Sequence, residues 1–462
     1  MPRLPPGPGS IRAGDKLPDH PFAAVHHRPD ALPALLHAGA ADILPRTASC
    51  AHLSCRGCRG DPRIAPAYQR MISTASGARH MHPIVIVGAG IAGYGLAREL
   101  RRRDAQIDIT LIAADRADFY AKPMLSNALT RGQTPETLIA STRADMARQL
   151  GITIVPHTCV ERIDPDSRTL LSSSGLYHYR SLVLAIGAEP VRLHFWGDAS
   201  DEVLSINHLD DYRRFRERLP ASGHVALLGA GLIGCEFAND LTACGYRVTV
   251  IDPAPRPLAG LLPVPASTQL AEALAATGVQ WRCGHRVRAI DRRAGRYRLS
   301  TEDGDTLDAD LVLSAVGLRP QTALAAGAGL ICERGIVVDR QLRTSAADIH
   351  ALGDCAQIDG MVRPYVMPAV QAARALASTL TGKPTEMSLP PMPVTIKTPA
   401  CPIVTCPPPP TLTGVWRELT EDGIRILRFE SNDAVLAGFV VIGGHSLARQ
   451  QALLREMAES GR

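Results

Sequence analysis

Six glycines carry the first chemical signal in this 462-residue chain: Gly88, Gly90 and Gly93 in GAGIAG, and Gly229, Gly231 and Gly234 in GAGLIG, two G-x-G-x-x-G loops 141 residues apart. In such a loop the first glycine makes a tight turn, the second lets backbone approach a pyrophosphate, and the third seats a helix against a strand. The helix N-terminus then attracts the phosphate charge. Ala89, Ala92 and Ile233 fill the positions between, beside the same phosphates. Each loop follows an apolar run, Ile84 to Val87 or Val225 to Leu228, and opens a segment with Ala and Leu at helical spacing. Two dinucleotide sites are expected.

A third segment narrows the class. TSAADIHALGD, Thr344 to Asp354, is an apolar strand ending in Gly353-Asp354. It resembles the segment with which two-dinucleotide flavoprotein reductases hold the ribityl chain of FAD. That resemblance implies an FAD enzyme fed by a nicotinamide cofactor.

A dinucleotide unit places an acid at the end of its second strand to receive ribose hydroxyls. In the second unit this is Asp252, which ends YRVTVID. Its carboxylate repels a 2′-phosphate and favours NADH, although Arg256 stands near enough in sequence to leave some room for NADPH. The plainer reading of Asp252 is a turn residue before Pro253. In the first unit the matching slot is Ala113, and the nearest acid is Asp115, a candidate for the adenosine ribose.

The chain has 46 Arg and only four Lys, at positions 16, 122, 383 and 397. Where Arg dominates so heavily, a retained Lys marks a place that a planar guanidinium does not fit. Lys122, followed by Pro123 in FYAKPMLS, is expected at the flavin edge that receives hydride, paired with Glu236 just past the second fingerprint. A buried Lys without such a partner is costly. The alternative is two unrelated surface charges. In PVTIKT, Val394 and Ile396 point one way and Thr395 and Lys397 the other, so Lys397 either lines the flavin or sits on a solvated strand face.

These residues need two nested domains to position them. The expected fold is α/β, with two Rossmann-like domains, for FAD and NAD, and a small C-terminal α+β interface domain. The predicted boundaries are 81–192 and 317–383 for the FAD domain, 193–316 for the NAD domain and 384–462 for the last. SLVLAIGAEP, with Ala185 and Gly187, and ADLVLSAVGLRP, with Gly317, mark the crossings between them. A helix over 367–380 is predicted to bury Val370, Ala373, Ala377 and Leu380 and to aim its N-terminus at the flavin.

Composition excludes other classes. The net charge of +5 comes from the first 80 residues, which hold ten basic and five acidic side chains against forty of each in the rest. No general nucleic-acid or membrane affinity follows from such a balance. No apolar run is long enough to span a bilayer. Eleven scattered cysteines fit a reducing cytoplasm. Residues 1–80 read as a disordered or dispensable extension, with translation able to begin at Met81. Cys50, His52, Cys55 and Cys58 there are at most half a metal site, so no metal is expected.

FYAKPMLS, AIGAEP, GAGLIGCEFANDL, SAVGLRP, ALGDCAQIDG, YVMP and MPVTIKTPACP together resemble the bacterial rubredoxin:NAD reductases, from Met81 to about the C-terminus. The resemblance implies NADH as donor, FAD as cofactor and rubredoxin, or another small iron-sulfur carrier, as acceptor, in service of alkane hydroxylases or oxygen-detoxifying enzymes. The disulfide reductases of the wider superfamily carry a Cys-x4-Cys, and its peroxidases one Cys, where this chain has Lys-Pro-Met-Leu-Ser. Electrons are therefore expected to leave the flavin directly. A [2Fe-2S] ferredoxin reductase feeding an oxygenase is the alternative, and Ile186 replaces the Thr of the superfamily's Ala-Thr-Gly.

Overall fold

The computed structural model describes residues 82–421, 423–443 and 447–460. Residues 1–81, with the Cys50, His52, Cys55 and Cys58 group and Met81, lie outside the described residues. Within it, each glycine fingerprint joins a wholly buried strand to a helix at the heart of a five-stranded sheet. The first sheet runs Ile349–Ala351, Ser181–Leu184, Ile84–Val87, Ile109–Ile112, Thr153–Val155. The second runs Leu204–Ser205, Leu311–Ser314, His224–Leu228, Arg247–Asp252, Val279–Cys283. Every pair in both is parallel. Parallel strands are covered on both faces, which is why their sequences read as continuous Ile, Val and Leu rather than as alternation.

The fingerprint helices are Ile91–Arg103 and Leu232–Ala243. The chain passes between the two sheets at the antiparallel pair Ala188–Pro190 and Leu318–Pro320, directly after Gly187 and Gly317. These two glycines have φ of +71° and +111°.

The helix after Asp354 spans Val366–Leu380. Its buried side differs from the spacing argument: Ala369, Ala372, Ala373 and Leu376 are fully covered, whereas Val370 and Leu380 are only half-buried. The reason is a close crossing with Ile91–Arg103, where a Cβ on Gly95 would stand 3.6 Å from that of Ala373. Small residues, not the largest ones, define the contact.

The C-terminal sheet is antiparallel, ordered Val394–Ile396, Ile403–Cys406, Leu436–Ile442, Ile424–Ser431, Gly414–Glu421, and is followed by the helix Leu447–Ser460. Ile403–Cys406 is a second buried strand that the prolines on both sides obscure in the sequence. Among the described residues no helix is long and apolar enough to cross a membrane.

Candidate functional site

A cavity of 1710 Å³ opens between the two parallel sheets and the start of the C-terminal sheet. Of the residues singled out above, it is lined by Gly88, Ala89, Gly90, Ala92, Asp115, Lys122, Pro123, Ala185, Gly187, Gly229, Gly231, Ile233, Asp252, Gly317, Asp354 and Lys397. Gly93, Gly234, Gly353 and Glu236 are not on its wall.

The two glycine loops are near copies of each other. Gly88 and Gly229 sit at φ +116° and +104°, where a Cβ would meet the carbonyl oxygen of Ala185 at 2.2 Å or that of Ala315 at 2.6 Å. A Cβ on Gly93 would lie 1.9 Å from Gly88 O, and one on Gly234 would lie 2.0 Å from Gly229 O. The middle glycines differ in kind: a Cβ on Gly90 or Gly231 meets nothing within 4 Å. Both therefore leave open, on the cavity wall and at a helix N-terminus, the space that a pyrophosphate requires.

The slots after the second strands also correspond. Gly88 N–H donates to Ile112 O at 2.8 Å and Gly229 N–H to Ile251 O at 2.9 Å, so Ala113 and Asp252 are equivalent. Asp252 is clamped by two backbone donors, Ala230 N at 2.6 Å and Ala254 N at 2.7 Å. Asp115 accepts from Ala117 N at 2.9 Å and still reaches the cavity. Arg256 does not line the cavity; its guanidinium turns to the carbonyls of Ala259 and Leu262, both at 3.4 Å.

The pairing of Lys122 with Glu236 is not what the structure contains. Glu236 is fully buried and pairs instead with Lys397, whose Nζ contacts Oε2 and whose backbone N donates to Oε1 at 3.0 Å. Ser126 Oγ donates to the same Oε2 at 2.5 Å. The carboxylate thus ties the Lys122–Asn127 helix and the end of strand Val394–Ile396 to its own helix, and its neighbours on that helix extend the junction. Asn239 Oδ1 accepts from Ala400 N at 3.1 Å, while Asp240 accepts from Leu129 N at 2.9 Å and Thr130 N at 3.0 Å. Positions 236, 239 and 240 share one helix face, which explains the polar spacing in GCEFANDL.

Lys122 begins the short helix Lys122–Asn127 and faces the cavity, where Asp354 is the strongest influence of opposite charge. Burial pulls the Lys122 ammonium below its usual range, and Asp354 opposes that pull. Burial likewise pushes the Asp354 carboxyl up, with Lys122 opposing. Two desolvated charges facing one chamber suit a ligand that offers both donors and acceptors.

His208, Tyr120, Ser126 and the Tyr365–Pro368 helix start complete the surroundings. His208 precedes the helix Leu209–Arg218, and burial first, then the charge of Lys122, holds its imidazole below the ordinary range. Tyr120 Oη accepts from Leu209 N at 3.1 Å, joining the first domain to that helix. Tyr120 and Ser126 lie inside FYAKPMLS and were available to a sequence reading; His208 has no local pattern to mark it.

A family model described as pyridine nucleotide-disulphide oxidoreductase matches residues 82–376, and one described as rubredoxin binding C-terminal domain matches 386–457. Curated relatives include rubredoxin-NAD(+) reductases of Alcanivorax borkumensis, 44% identical over 79% of this chain and 95% of the relative, and of Acinetobacter baylyi, 44% identical over 79% and 94%. Among solved structures, a ferredoxin reductase for the CYP199A2 system of Rhodopseudomonas palustris aligns with a TM-score of 0.73 at 30% identity, covering 78% of this chain and 91% of that one.

Proposed function

The chain belongs to the pyridine nucleotide-disulphide oxidoreductase family, and on that premise we propose that it is an FAD-dependent NADH:rubredoxin oxidoreductase. The observation that carries the acceptor is the rubredoxin-binding match over 386–457, a segment whose first strand and Lys397 form part of the cavity wall. When bound, FAD takes up the hydride of NADH and gives up the two electrons singly to a one-electron iron centre.

In this reading residues 81–192 and 317–383 hold FAD, 193–316 hold NADH, and 384–462 form the partner-facing domain. Gly88, Gly90 and Gly93 with the Ile91–Arg103 helix cradle the FAD pyrophosphate, Asp115 takes its ribose, and Asp354 its ribityl chain. Gly229, Gly231 and Gly234 do the same for NADH, with Asp252 on the adenosine ribose. The two backbone donors that clamp Asp252 hold its carboxylate pre-aimed, and a negative charge there disfavours NADPH. Lys122 supplies a positive group to the flavin edge. Glu236 is a positioning residue: through Ser126 and Lys397 it fixes three walls of one chamber and excludes water from them. We place the protein in a reducing cytoplasm, where its eight described cysteines, all free, would stay thiols.

A ferredoxin reductase is the second reading, favoured by the 30% identical solved relative. The test is NADH-dependent turnover with rubredoxin, a plant-type ferredoxin and oxygen. Rubredoxin is expected to be reduced fastest; equal rates with rubredoxin and oxygen would overturn the acceptor assignment. Lys122→Met should slow flavin reduction more than it weakens NADH binding.

A further inference from the structure

Asp252 is not the whole electrostatic environment at its end of the cavity. Strand Arg247–Asp252 lies beside Val279–Cys283 with Asp252 opposite Cys283, and Gly284 N donates to the carbonyls of Asp252 at 2.8 Å and Ala254 at 2.9 Å. That fold-back brings the next two residues, His285 and Arg286, onto the cavity wall next to Asp252. With Arg256 turned away, Arg286, and His285 whenever it carries a proton, would offset the charge of a 2′-phosphate on the adenosine ribose.

Both are already matched by acids. The turn between strands Arg296–Thr301 and Thr306–Ala309 reads Glu302-Asp303-Gly304-Asp305. His285 Nδ1 is 2.6 Å from Asp303 Oδ2, and Asp305 brings a carboxylate oxygen within 4.8 Å of both. Arg286 Nε is 3.7 Å from Glu302 Oε1, and the Glu302 N–H donates to Arg286 O at 2.9 Å, so backbone ties the turn to the segment it faces. None of the three acids lines the cavity itself.

We propose that the Glu302–Asp305 turn is a second determinant of coenzyme choice, pairing with Arg286 and His285 so that neither offsets the repulsion between Asp252 and a 2′-phosphate. A phosphate brings close to two negative charges at neutral pH. Removing Asp252 relieves repulsion only; freeing Arg286 adds attraction. This inference rests on NADH being the donor.

The test compares kcat/KM for NADH and NADPH in the FAD-loaded protein carrying Asp252→Ala, and in the same background with Glu302→Gln, Asp303→Asn and Asp305→Asn. The turn changes should raise kcat/KM for NADPH about tenfold over Asp252→Ala alone, move that for NADH less than about twofold, and lose the gain as salt rises. Adding His285→Ala with Arg286→Ala should cancel the gain, which a merely structural role for the turn would not produce. An unmoved NADPH value, or a gain that survives loss of both cations, overturns the proposal. If the combined variant is insoluble, the exposed change Glu302→Gln alone should give about a twofold rise in NADPH use, and no rise sinks it equally. Failure of the unsubstituted protein with either coenzyme would instead overturn the functional reading.

Discussion

The two fingerprint units have superimposable reasons for their glycines and different uses for everything around them. In both, the first and third glycines are fixed by backbone that leaves no room for a Cβ, and the middle one faces open space. Beyond the loop they part. The first helix, Ile91–Arg103, ends in three arginines and presses Gly95 against Ala373 of a neighbouring helix. The second, Leu232–Ala243, spends Glu236, Asn239 and Asp240 on fastening the other regions to itself. The glycine turn is thus one solution used twice, while the rest of each unit is shaped by what it must touch.

The sharpest way to break the symmetry is by position within the loops. Gly93→Ala and Gly234→Ala each drive a methyl into a backbone carbonyl and should cost about 3 kcal/mol of stability, read as a fall in the urea midpoint. Gly90→Ala and Gly231→Ala should leave apoprotein stability within about 0.5 kcal/mol, since nothing blocks the added methyl. Their effect falls on ligands: Gly90→Ala should weaken FAD binding about a hundredfold, and Gly231→Ala should raise the KM for NADH by a similar factor while the protein stays yellow.

Next in size is the junction that only the second unit owns. Glu236→Ala strands the Lys397 ammonium and the Ser126 hydroxyl against a buried void, at a cost of about 3 kcal/mol. Replacing Glu236 and Lys397 together by Leu and Met should recover much of that loss, as measured by thermal unfolding of the two variants side by side.

Each sheet also buries a histidine, and the two differ in satisfaction. His224 contacts Asp308 O at 3.0 Å and Thr249 Oγ1 at 2.8 Å, whereas Nδ1 of His350 has no partner. Burial holds His350 down at about 4 from its ordinary 6.5, and lowers His224 also. A base with a depressed folded pKa is protonated more readily in the unfolded chain. The associated stability is therefore present above 6.5 and lost as pH falls from there towards about 4. For His350 the loss reaches about 3 kcal/mol. Denaturant titrations at pH 7 and pH 4.5 should show His350→Gln to be less acid-sensitive than the unsubstituted protein.

The smallest effect sits on the first helix. Gly95→Ala adds a methyl at ordinary contact distance from Ala373 in a helix interior, so it should stabilise by about 0.5 to 1 kcal/mol, seen as a small rise in Tm.

These contrasts mark what a linear sequence conveys. The glycine loops, the slot that holds Asp252 and the Gly353-Asp354 segment are legible because each is a short run of fixed residue types directly after an apolar strand, whatever distant backbone closes around it. The partner of Glu236 is not, because Lys122 and Lys397 are equally rare cations, and only the packing of the C-terminal strand against the second fingerprint helix selects Lys397. Arg256 is illegible for the same reason: proximity in sequence to Asp252 says nothing about which carbonyls its guanidinium finds. The strand Ile403–Cys406 was hidden by flanking prolines, and the buried side of Val366–Leu380 by a crossing so close that alanine outranks valine there. His208 and the Glu302–Asp305 turn reach the site through tertiary contacts alone.

The most direct measurement is anaerobic titration of the FAD-loaded protein with NADH in the presence of excess oxidised rubredoxin, counting reduced iron per NADH consumed. The expected result is about two rubredoxins reduced per NADH, at a rate well above that with oxygen. Oxidation of NADH without stoichiometric reduction of rubredoxin would contradict it.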